Sequence, residues 1–194
     1  GRCTIDHLVR LTDSVNKSLH NKGHAAAIFF DFSKAFDLAW KPGIIHKLKC
    51  YGLNGKIINW INKFLSNRTF QVDVNGILSD TYLLENGTPQ GSVISPILFL
   101  ILINDFPQPT DQNINTSLFA DDSSVWKTSH NFKSLHTDLI NHVKKIEQWC
   151  NKWGFKLNED KTVGLIFSHN REILQTKLAI YINNKQIETV SHTK

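Results

Sequence analysis

Residues 25–32 read A-A-A-I-F-F-D-F, a short and almost wholly apolar run that ends on an acidic residue, Asp31. A run of this length without alternating polar residues is typical of a strand that is buried on both faces of a sheet. The abrupt change at Asp31 predicts that the end of the strand carries one carboxylate into the open. The rest of the chain can be interpreted around this buried strand.

A second group of acidic residues, Asp121 and Asp122, lies where we expect another turn. Residues 116–119 and 123–127 have the composition of strands, and A-D-D at 120–122 would join them as a hairpin. The segment after Asp31 can loop out, so that both strand ends lie side by side in one sheet. Carboxylates about 4 Å apart repel each other by on the order of 4 kcal/mol at an effective dielectric of about 20, so a cation or a proton must offset the charge.

Hard oxygen ligands such as these carboxylates select Mg²⁺ or Mn²⁺. Two such ions are the usual device for an in-line attack on phosphorus. Taken alone, Asp121 and Asp122 are more typical of ordinary turn residues than of metal ligands, and Asp37 is typical of a helix cap or an ion pair rather than a ligand. The pattern therefore indicates a possible metal site whose assignment needs further residues.

The remaining pattern predicts an α+β fold, in which antiparallel strands and hairpins pack on helices. Asn75-Gly76 is the clearest hairpin turn, because both residues adopt positive φ angles easily. Pro42 and Pro96 each begin a helix, since proline is favoured in the first turn. The predicted helices cover about 4–21, 42–51, 54–66, 96–105 and 131–153, and the predicted strands 25–32, 70–74, 77–84, 116–119, 123–127, 163–167, 178–182 and 186–190.

Composition limits the function classes. The 194 residues carry a formal net charge of +5, which favours a polyanionic partner. The longest apolar run, 97–103, is far shorter than the roughly 20 residues of a membrane helix, so we expect no membrane partner. The three cysteines are far apart and predict reduced intracellular thiols. The chain contains no methionine and begins with Gly1, as expected of a fragment.

The segment 38–72 contains only basic charges. It could bind phosphates and make affinity depend on salt, or it could form a solvated pair of helices whose apolar residues face a core. The tryptophans could stack on bases, but we expect most of them in the core, above all Trp149 and Trp153. The basic residues are Lys41, Lys47, Lys49, Lys56, Lys63 and Arg68, and the other tryptophans are Trp40, Trp60 and Trp126.

Four short sequence motifs occur in a characteristic order along the chain. They are F-F-D-F-S-K-A-F-D at 29–37, G-T-P-Q-G-S-V-I-S-P at 87–96, F-A-D-D at 119–122 and W-G-F-K-L-N-E-D-K-T at 153–162. Together they resemble the palm motifs of reverse transcriptases, and their wording is closest to non-LTR, LINE-type or jockey-like retrotransposons. Any one string would be weak evidence, whereas four in order make coincidence improbable.

The resemblance implies a two-metal site. Asp31 and Asp121 match the carboxylates that bind both ions, Asp122 matches the third acidic position, and the carbonyl of Phe32 matches a further ligand. Mg²⁺ is the implied cofactor, with Mn²⁺ possible. Lys161 matches a lysine that protonates the leaving pyrophosphate, although an exposed lysine without a role is the plain alternative.

The resemblance also implies nucleotide contacts. Phe36 matches an aromatic gate that excludes a 2′-hydroxyl, although from its position alone a core phenylalanine is the better interpretation. Pro89, Gln90 and Gly91 match a loop that contacts the incoming nucleotide and the template, and the plain alternative for this loop is a helix entry turn. The resemblance also assigns Phe32 to the nucleotide-binding residues.

The implied protein is an RNA-directed DNA polymerase with an RNA template, a DNA primer and deoxynucleoside triphosphates as partners, acting in the nucleus and cytoplasm. Residues 1–23 would end the fingers region and 24–194 would form the palm, with a fingers-like insertion at about 41–84. We expect a single structural unit that lacks the thumb and the rest of the fingers of a larger polyprotein. The alternatives are an inactive nucleic-acid-binding remnant and an RNA-templated RNA polymerase palm.

Overall fold

The computed structural model describes residues 4–109 and 114–191. In chain order its elements are α1 (Thr4–His20), β1 (His24–Phe30), α2 (Lys41–Cys50), α3 (Gly55–Leu65), β2 (Arg68–Phe70), β3 (Asp73–Val74), β4 (Ile77–Leu78), β5 (Tyr82–Leu84), α4 (Ser95–Ile103), β6 (Ile114–Phe119), β7 (Asp122–Ser129), α5 (Phe132–Trp153), β8 (Val163–Phe167), α6 (Arg171–Gln175), β9 (Tyr181–Ile182), β10 (Lys185–Gln186) and β11 (Glu188–Ser191). The predicted mixed α+β class is confirmed.

The chain forms two compact units rather than the single unit that the sequence predicts. The first comprises Gly1–Ser33, Phe106–Lys152 and Lys156–Lys194, and the second comprises Lys34–Asp105 and Trp153–Phe155. The reason is that the long segment after β1 carries three helices, of which α2 packs on both α3 and α4. The predicted division into a fingers end at 1–23 and a palm from 24 onward stays a prediction.

A five-stranded sheet in the order β11-β8-β1-β7-β6 forms the centre of the first unit. Strand β1 is its middle strand, and residues 25–28 are fully buried, as predicted. It pairs antiparallel with β7 and with β8. The expectation of a wholly antiparallel sheet is wrong at one edge, where β11 runs parallel to β8. The predicted last strand, 186–190, is divided: Gln186 belongs to β10, which pairs with β9, and the sheet strand β11 begins at Glu188.

Helices α1 and α5 bury their apolar stripes in the first unit. Leu11 and Val15 of α1 pack with the β1 alanines and with Trp126 of β7. Leu135, Leu139, Val143 and Ile146 of α5 follow the predicted helical spacing and are almost completely buried. The predicted burial of Trp149 and Trp153 is also confirmed.

The second unit consists of α2, α3 and α4 with a hairpin arm, residues 68–84. Lys47 is buried in this unit, where it forms an ion pair with Asp105 and lies 3.9 Å from the centre of the Trp153 ring. The Asn75-Gly76 turn is confirmed, since both residues have positive φ angles. The arm is divided into two short ladders, β2 with β5 and β3 with β4, so its strands are shorter than predicted.

No helix in the described ranges is both long and apolar enough to cross a membrane.

Candidate active site

The register of the central sheet brings two predicted acidic positions together. Strand β1 ends at Phe30, which pairs with Ser123 of β7 in antiparallel register. Asp31 directly follows Phe30 and Asp122 directly precedes Ser123, so both acidic residues lie at the same end of this ladder.

Asp121 stands next to this pair in the turn between β6 and β7. The sequence predicts a three-residue tip, but the turn consists of Ala120 and Asp121 only, because Asp122 already pairs with Phe119 in the ladder. Asp121 and Asp122 are both exposed. Ala120 has φ of +52°, a left-handed conformation that costs energy for a residue with a Cβ atom. The hairpin is therefore held in a strained turn at its acidic end.

The segment 156–162 holds the backbone around Asp31 from the other side. The Asn158 N–H donates to the carbonyl of Asp31 over 2.8 Å, and the Ser33 N–H donates to the carbonyl of Lys156 over 2.8 Å. The Asp31 N–H donates to the Thr162 hydroxyl over 3.5 Å. These bonds fix the chain where it leaves β1, so the direction of the Asp31 side chain is set by the backbone of both flanking segments.

The same segment carries Lys161 to the acidic site. Its Nζ lies 4.0 Å from Oδ2 of Asp31, and the two side chains are 70% and 41% exposed. An ion pair this exposed contributes little to stability because water screens it. The lysine is thus free to respond to a charged ligand at Asp31.

The donor set of this site fits a hard divalent cation, because carboxylate oxygens at adjacent strand ends are the ligands that Mg²⁺ prefers. Within residues 4–109 and 114–191, however, no three histidine, cysteine, aspartate or glutamate side chains gather as a group that could hold a metal ion. The structure therefore brings the predicted acidic positions to one sheet end without closing them into a cluster.

The predicted nucleotide loop lies in the second unit and is bonded to residues 36–39 there. The Thr88 N–H donates to the carbonyl of Phe36 over 2.9 Å, and the Gly87 N–H donates to that of Ala39 over 2.8 Å. A Cβ atom on Gly87 would lie 2.5 Å from the Asp37 carbonyl oxygen, so only glycine fits this approach. The loop and the segment after β1 thus form one packed substructure.

Gln90 and Phe36 have definite partners within this substructure. The Gln90 side-chain amide donates to the Asp37 carboxylate over 2.7 Å, so Asp37 helps to position the Gln90 side chain. The half-buried Phe36 ring stacks on Phe99 at a centroid distance of 4.2 Å. Packing alone explains Phe36, so its predicted gate role stays a prediction, as do the roles of Pro89 and Gly91.

Arg68 is a supporting residue that the sequence did not single out for this role. Its guanidinium donates to the carbonyls of Asn86 and Gly87 over 3.0 and 2.7 Å. The Lys41 ammonium similarly donates to the carbonyl of Leu84 over 2.8 Å. Neither contact has a local sequence signal, because each joins residues far apart in the chain.

Comparison with known proteins identifies the class. The family model described as "Reverse transcriptase (RNA-dependent DNA polymerase)" matches residues 1–189. Because this match covers nearly the whole chain, the chain belongs to the reverse transcriptase family.

Within the family the chain is related to non-LTR retrotransposon enzymes of insects. It is 28% identical over 172 residues to the RNA-directed DNA polymerase from mobile element jockey of Drosophila melanogaster, covering 86% of this chain and 19% of that protein. The jockey protein of Drosophila funebris is 30% identical over 175 residues, with coverage of 86% and 19%. The probable polymerase from transposon X-element of Drosophila melanogaster is 26% identical over 185 residues, with coverage of 94% and 20%. The chain thus spans about a fifth of these relatives.

Solved structures support the fold. Apo telomerase of Candida tropicalis, truncated from the C-terminal domain, gives a TM-score of 0.63 at 18% identity, with 88% of this chain and 36% of that chain covered. Telomerase of the same organism in complex with a fragment of telomeric RNA gives 0.65 at 16% identity, with coverage of 88% and 30%. At these identities the likeness concerns the fold.

Proposed function

We propose that this chain is the palm part of an RNA-directed DNA polymerase, which adds deoxynucleotides to the 3′-hydroxyl of a primer opposite an RNA template. Family membership supports the reaction class. The observation that carries the proposal is the β1–β7 pairing, which ends at Phe30 and Ser123 and so leaves Asp31 and Asp122 at the same end of the ladder, with Asp121 in the adjoining turn.

Asp31, Asp121 and Asp122, with the carbonyl of Phe32, would hold two Mg²⁺ ions, and Mn²⁺ could replace them. Bound there, the ions would supply activation of the primer hydroxyl and charge neutralisation on the phosphates. The chain's own contribution is to keep the acids at the end of a buried sheet, where the strands limit their movement. The strained turn at Ala120 holds Asp121 in the exposed position that this task needs.

Lys161 has a separate role in this proposal. Its ammonium group lies beside Asp31 and carries protons that can be donated to a leaving pyrophosphate oxygen. A positioned general acid of this kind contributes roughly 100- to 10,000-fold to a rate.

In the second unit, Phe36, Pro89, Gln90 and Gly91 would contact the incoming nucleotide. The bonds from the loop to residues 36–39 would keep the Phe36 ring and the loop backbone in a fixed relation. The Phe36 ring would exclude a 2′-hydroxyl and so favour deoxynucleotides. A smaller gate or a hydrogen-bonding residue would be expected of an RNA-templated RNA polymerase, the second candidate, and the phenylalanine disfavours it.

In the longer relatives, fingers and thumb regions would complete the grip on the RNA template and the DNA primer, and the whole enzyme would serve retrotransposition within the nucleus and cytoplasm. An inactive remnant that binds nucleic acid is the remaining alternative. All three acidic positions are present, whereas loss of an acidic ligand would favour that remnant.

Primer extension on an RNA template tests the proposal. The chain would be assayed with Mg²⁺ beside Asp31→Asn and beside Asp13→Asn, a matched control in α1 whose carboxylate pairs with Lys17. We expect extension by the wild type and by the control but not by Asp31→Asn. Extension that is unaffected by Asp31→Asn would contradict the assignment, and nucleic-acid binding without extension would favour the remnant.

A further inference from the structure

Helix α3 of the second unit carries an aromatic and basic surface on the side away from its core. Its core side is formed by Ile58, Ile61 and Leu65, which are at most 6% exposed. At 100° per residue, Lys56, Trp60 and Lys63 lie together on the opposite side of the helix. We name these three residues the α3 stripe.

Trp60 presents a flat aromatic face to solvent. Its side chain is 56% exposed, unlike Trp126, Trp149 and Trp153, which are core residues. The ring stacks on Phe64 with centroids 5.8 Å apart and planes at 16°. This contact holds the indole in one orientation, so a ligand that stacks on its other face would not have to order it first.

The charges around the stripe fit a polyanion. The segment 38–72 contains no acidic residue. Three of its six basic residues have structural partners, since Lys47 pairs with Asp105 while Lys41 and Arg68 donate to backbone carbonyls. The exposed remainder is Lys49, Lys56 and Lys63. The basic segment therefore divides into a structural half and an exposed half, and two of the exposed lysines flank Trp60.

We propose that the α3 stripe binds single-stranded nucleic acid, with a base stacked on Trp60 and neighbouring phosphates on Lys56 and Lys63. An unpaired strand is the fitting form, because its bases offer their faces to an aromatic side chain, whereas a duplex keeps them stacked internally. The proposal rests on the polymerase function above, because the α3 stripe would give such an enzyme a contact with its unpaired strand outside the acidic site.

Equilibrium binding of the 194-residue chain to fluorescent oligonucleotides tests the proposal. The probes are oligouridine, oligothymidine and a blunt DNA duplex, all measured without divalent metal so that the acidic site does not contribute. We expect Trp60→Ala to weaken binding of the single strands by about tenfold, while Trp60→Tyr retains most of it. The Lys56→Ala/Lys63→Ala variant should make the plot of log affinity against log salt less steep by about 1.4. Each of the two lost phosphate contacts accounts for about 0.7 of this change.

A double variant on another helix controls for the change in charge. Lys133→Ala/Lys144→Ala removes two exposed lysines of α5, and it should keep both the aromatic contact and most of the salt dependence. Equal losses in the two lysine variants would overturn the proposal, as would unchanged single-strand affinity in Trp60→Ala. A Trp60→Ala loss that is as large for the duplex would also contradict it. If Trp60→Ala does not fold, the comparison of the two lysine variants decides.

The two single-stranded probes distinguish the source of the strand. Tighter binding of oligouridine assigns the stripe to an RNA strand, and tighter binding of oligothymidine assigns it to a DNA strand. Failure here is separable from failure of the polymerase proposal, because Mn²⁺ binding and primer extension depend on the aspartates of the first unit. An inactive chain that still loses single-strand affinity with Trp60→Ala would support the stripe alone.

Discussion

The sheet of the first unit and the hairpin arm of the second unit differ in how their strands are buried. Residues 25–28 of β1 have no exposed surface, whereas most side chains of the arm are exposed. The arm exposes Phe70, Val72, Val74, Ile77, Leu78, Tyr82 and Leu83. A two-stranded ribbon has no core of its own, so only the buried sheet can hold side chains in fixed positions. Asp31 follows β1 and Asp122 begins β7, so both of these acidic positions adjoin strands of the buried sheet.

The largest expected effect concerns the acidic end of the sheet. In a longer polypeptide that synthesises DNA, Asp121→Asn should slow synthesis by about 1,000-fold or more, equivalent to roughly 4 kcal/mol of barrier. The reason is the loss of one proposed metal-binding charge without a change of shape. Single-turnover primer extension measures the rate, with Asp80→Asn in the exposed arm as the matched control. A variant that retains a tenth of the wild-type rate would remove Asp121 from the metal site.

The next effect tests the contrast in burial. Leu139→Ala in α5 should lower the free energy of unfolding by about 3 kcal/mol, because the fully buried side chain leaves a cavity. Leu83→Ala in the arm should change it by less than about 0.5 kcal/mol, since that side chain is 62% exposed. Urea unfolding followed by circular dichroism measures both variants. Similar losses would show that the arm is packed in solution.

A smaller effect distinguishes a gate from a core residue at Phe36. Phe36→Ala should raise incorporation of ribonucleotides relative to deoxynucleotides by about tenfold, within the range that a pocket gains by excluding one small group. Phe99→Leu is the control, because it disturbs the same ring stack from the other side. Competition between the two nucleotide types on one template gives the ratio. An unchanged ratio in Phe36→Ala, or an equal rise in both variants, would leave Phe36 as a packing residue.

The smallest effect is a dependence of stability on pH. Burial lowers the pKa of the His142 imidazole below its usual 6.5, and the Lys145 ammonium lowers it further. Between the lowered pKa and about 6.5, the unfolded chain therefore binds more protons at His142 than the folded chain does. The stability that comes from burying a neutral His142 is complete above about pH 6.5 and is lost as the pH falls through the lowered pKa. Urea unfolding between about pH 7 and pH 5 should show a smaller loss for His142→Gln than for the wild type. An identical loss in both proteins would contradict this account.

Much of the fold could be predicted because local patterns decide it. The apolar run of β1, the helical spacing of α5 and the Asn75-Gly76 turn are encoded by neighbouring residues, and the structure confirms each of them. The parallel pairing of β11 with β8 could not be predicted, because it depends on the register of residues more than twenty positions apart. The short helix α6 also escaped prediction, since five residues give too little periodicity.

The site shows the same limit. The strings around Asp31, Asp121 and Lys161 indicated which residues to compare, and the β1–β7 pairing leaves Asp31 and Asp122 at the same end of the ladder. The supports of the site were not predictable, because they are backbone bonds such as those from residues 156–162 to Asp31. Arg68 was counted among basic residues that could bind phosphates, but its guanidinium is engaged by the carbonyls of Asn86 and Gly87.

The most direct test of the central claim is Mn²⁺ binding to the 194-residue chain, measured by the paramagnetic resonance signal of free Mn²⁺. We expect saturable binding by the wild type and by an Asp13→Asn/Asp80→Asn control, and loss of this binding in Asp31→Asn/Asp121→Asn. Both double variants remove the same charge, so nonspecific attraction is matched. Equal binding by all three proteins, or no binding by the wild type, would contradict the claim that these strand ends form a metal site.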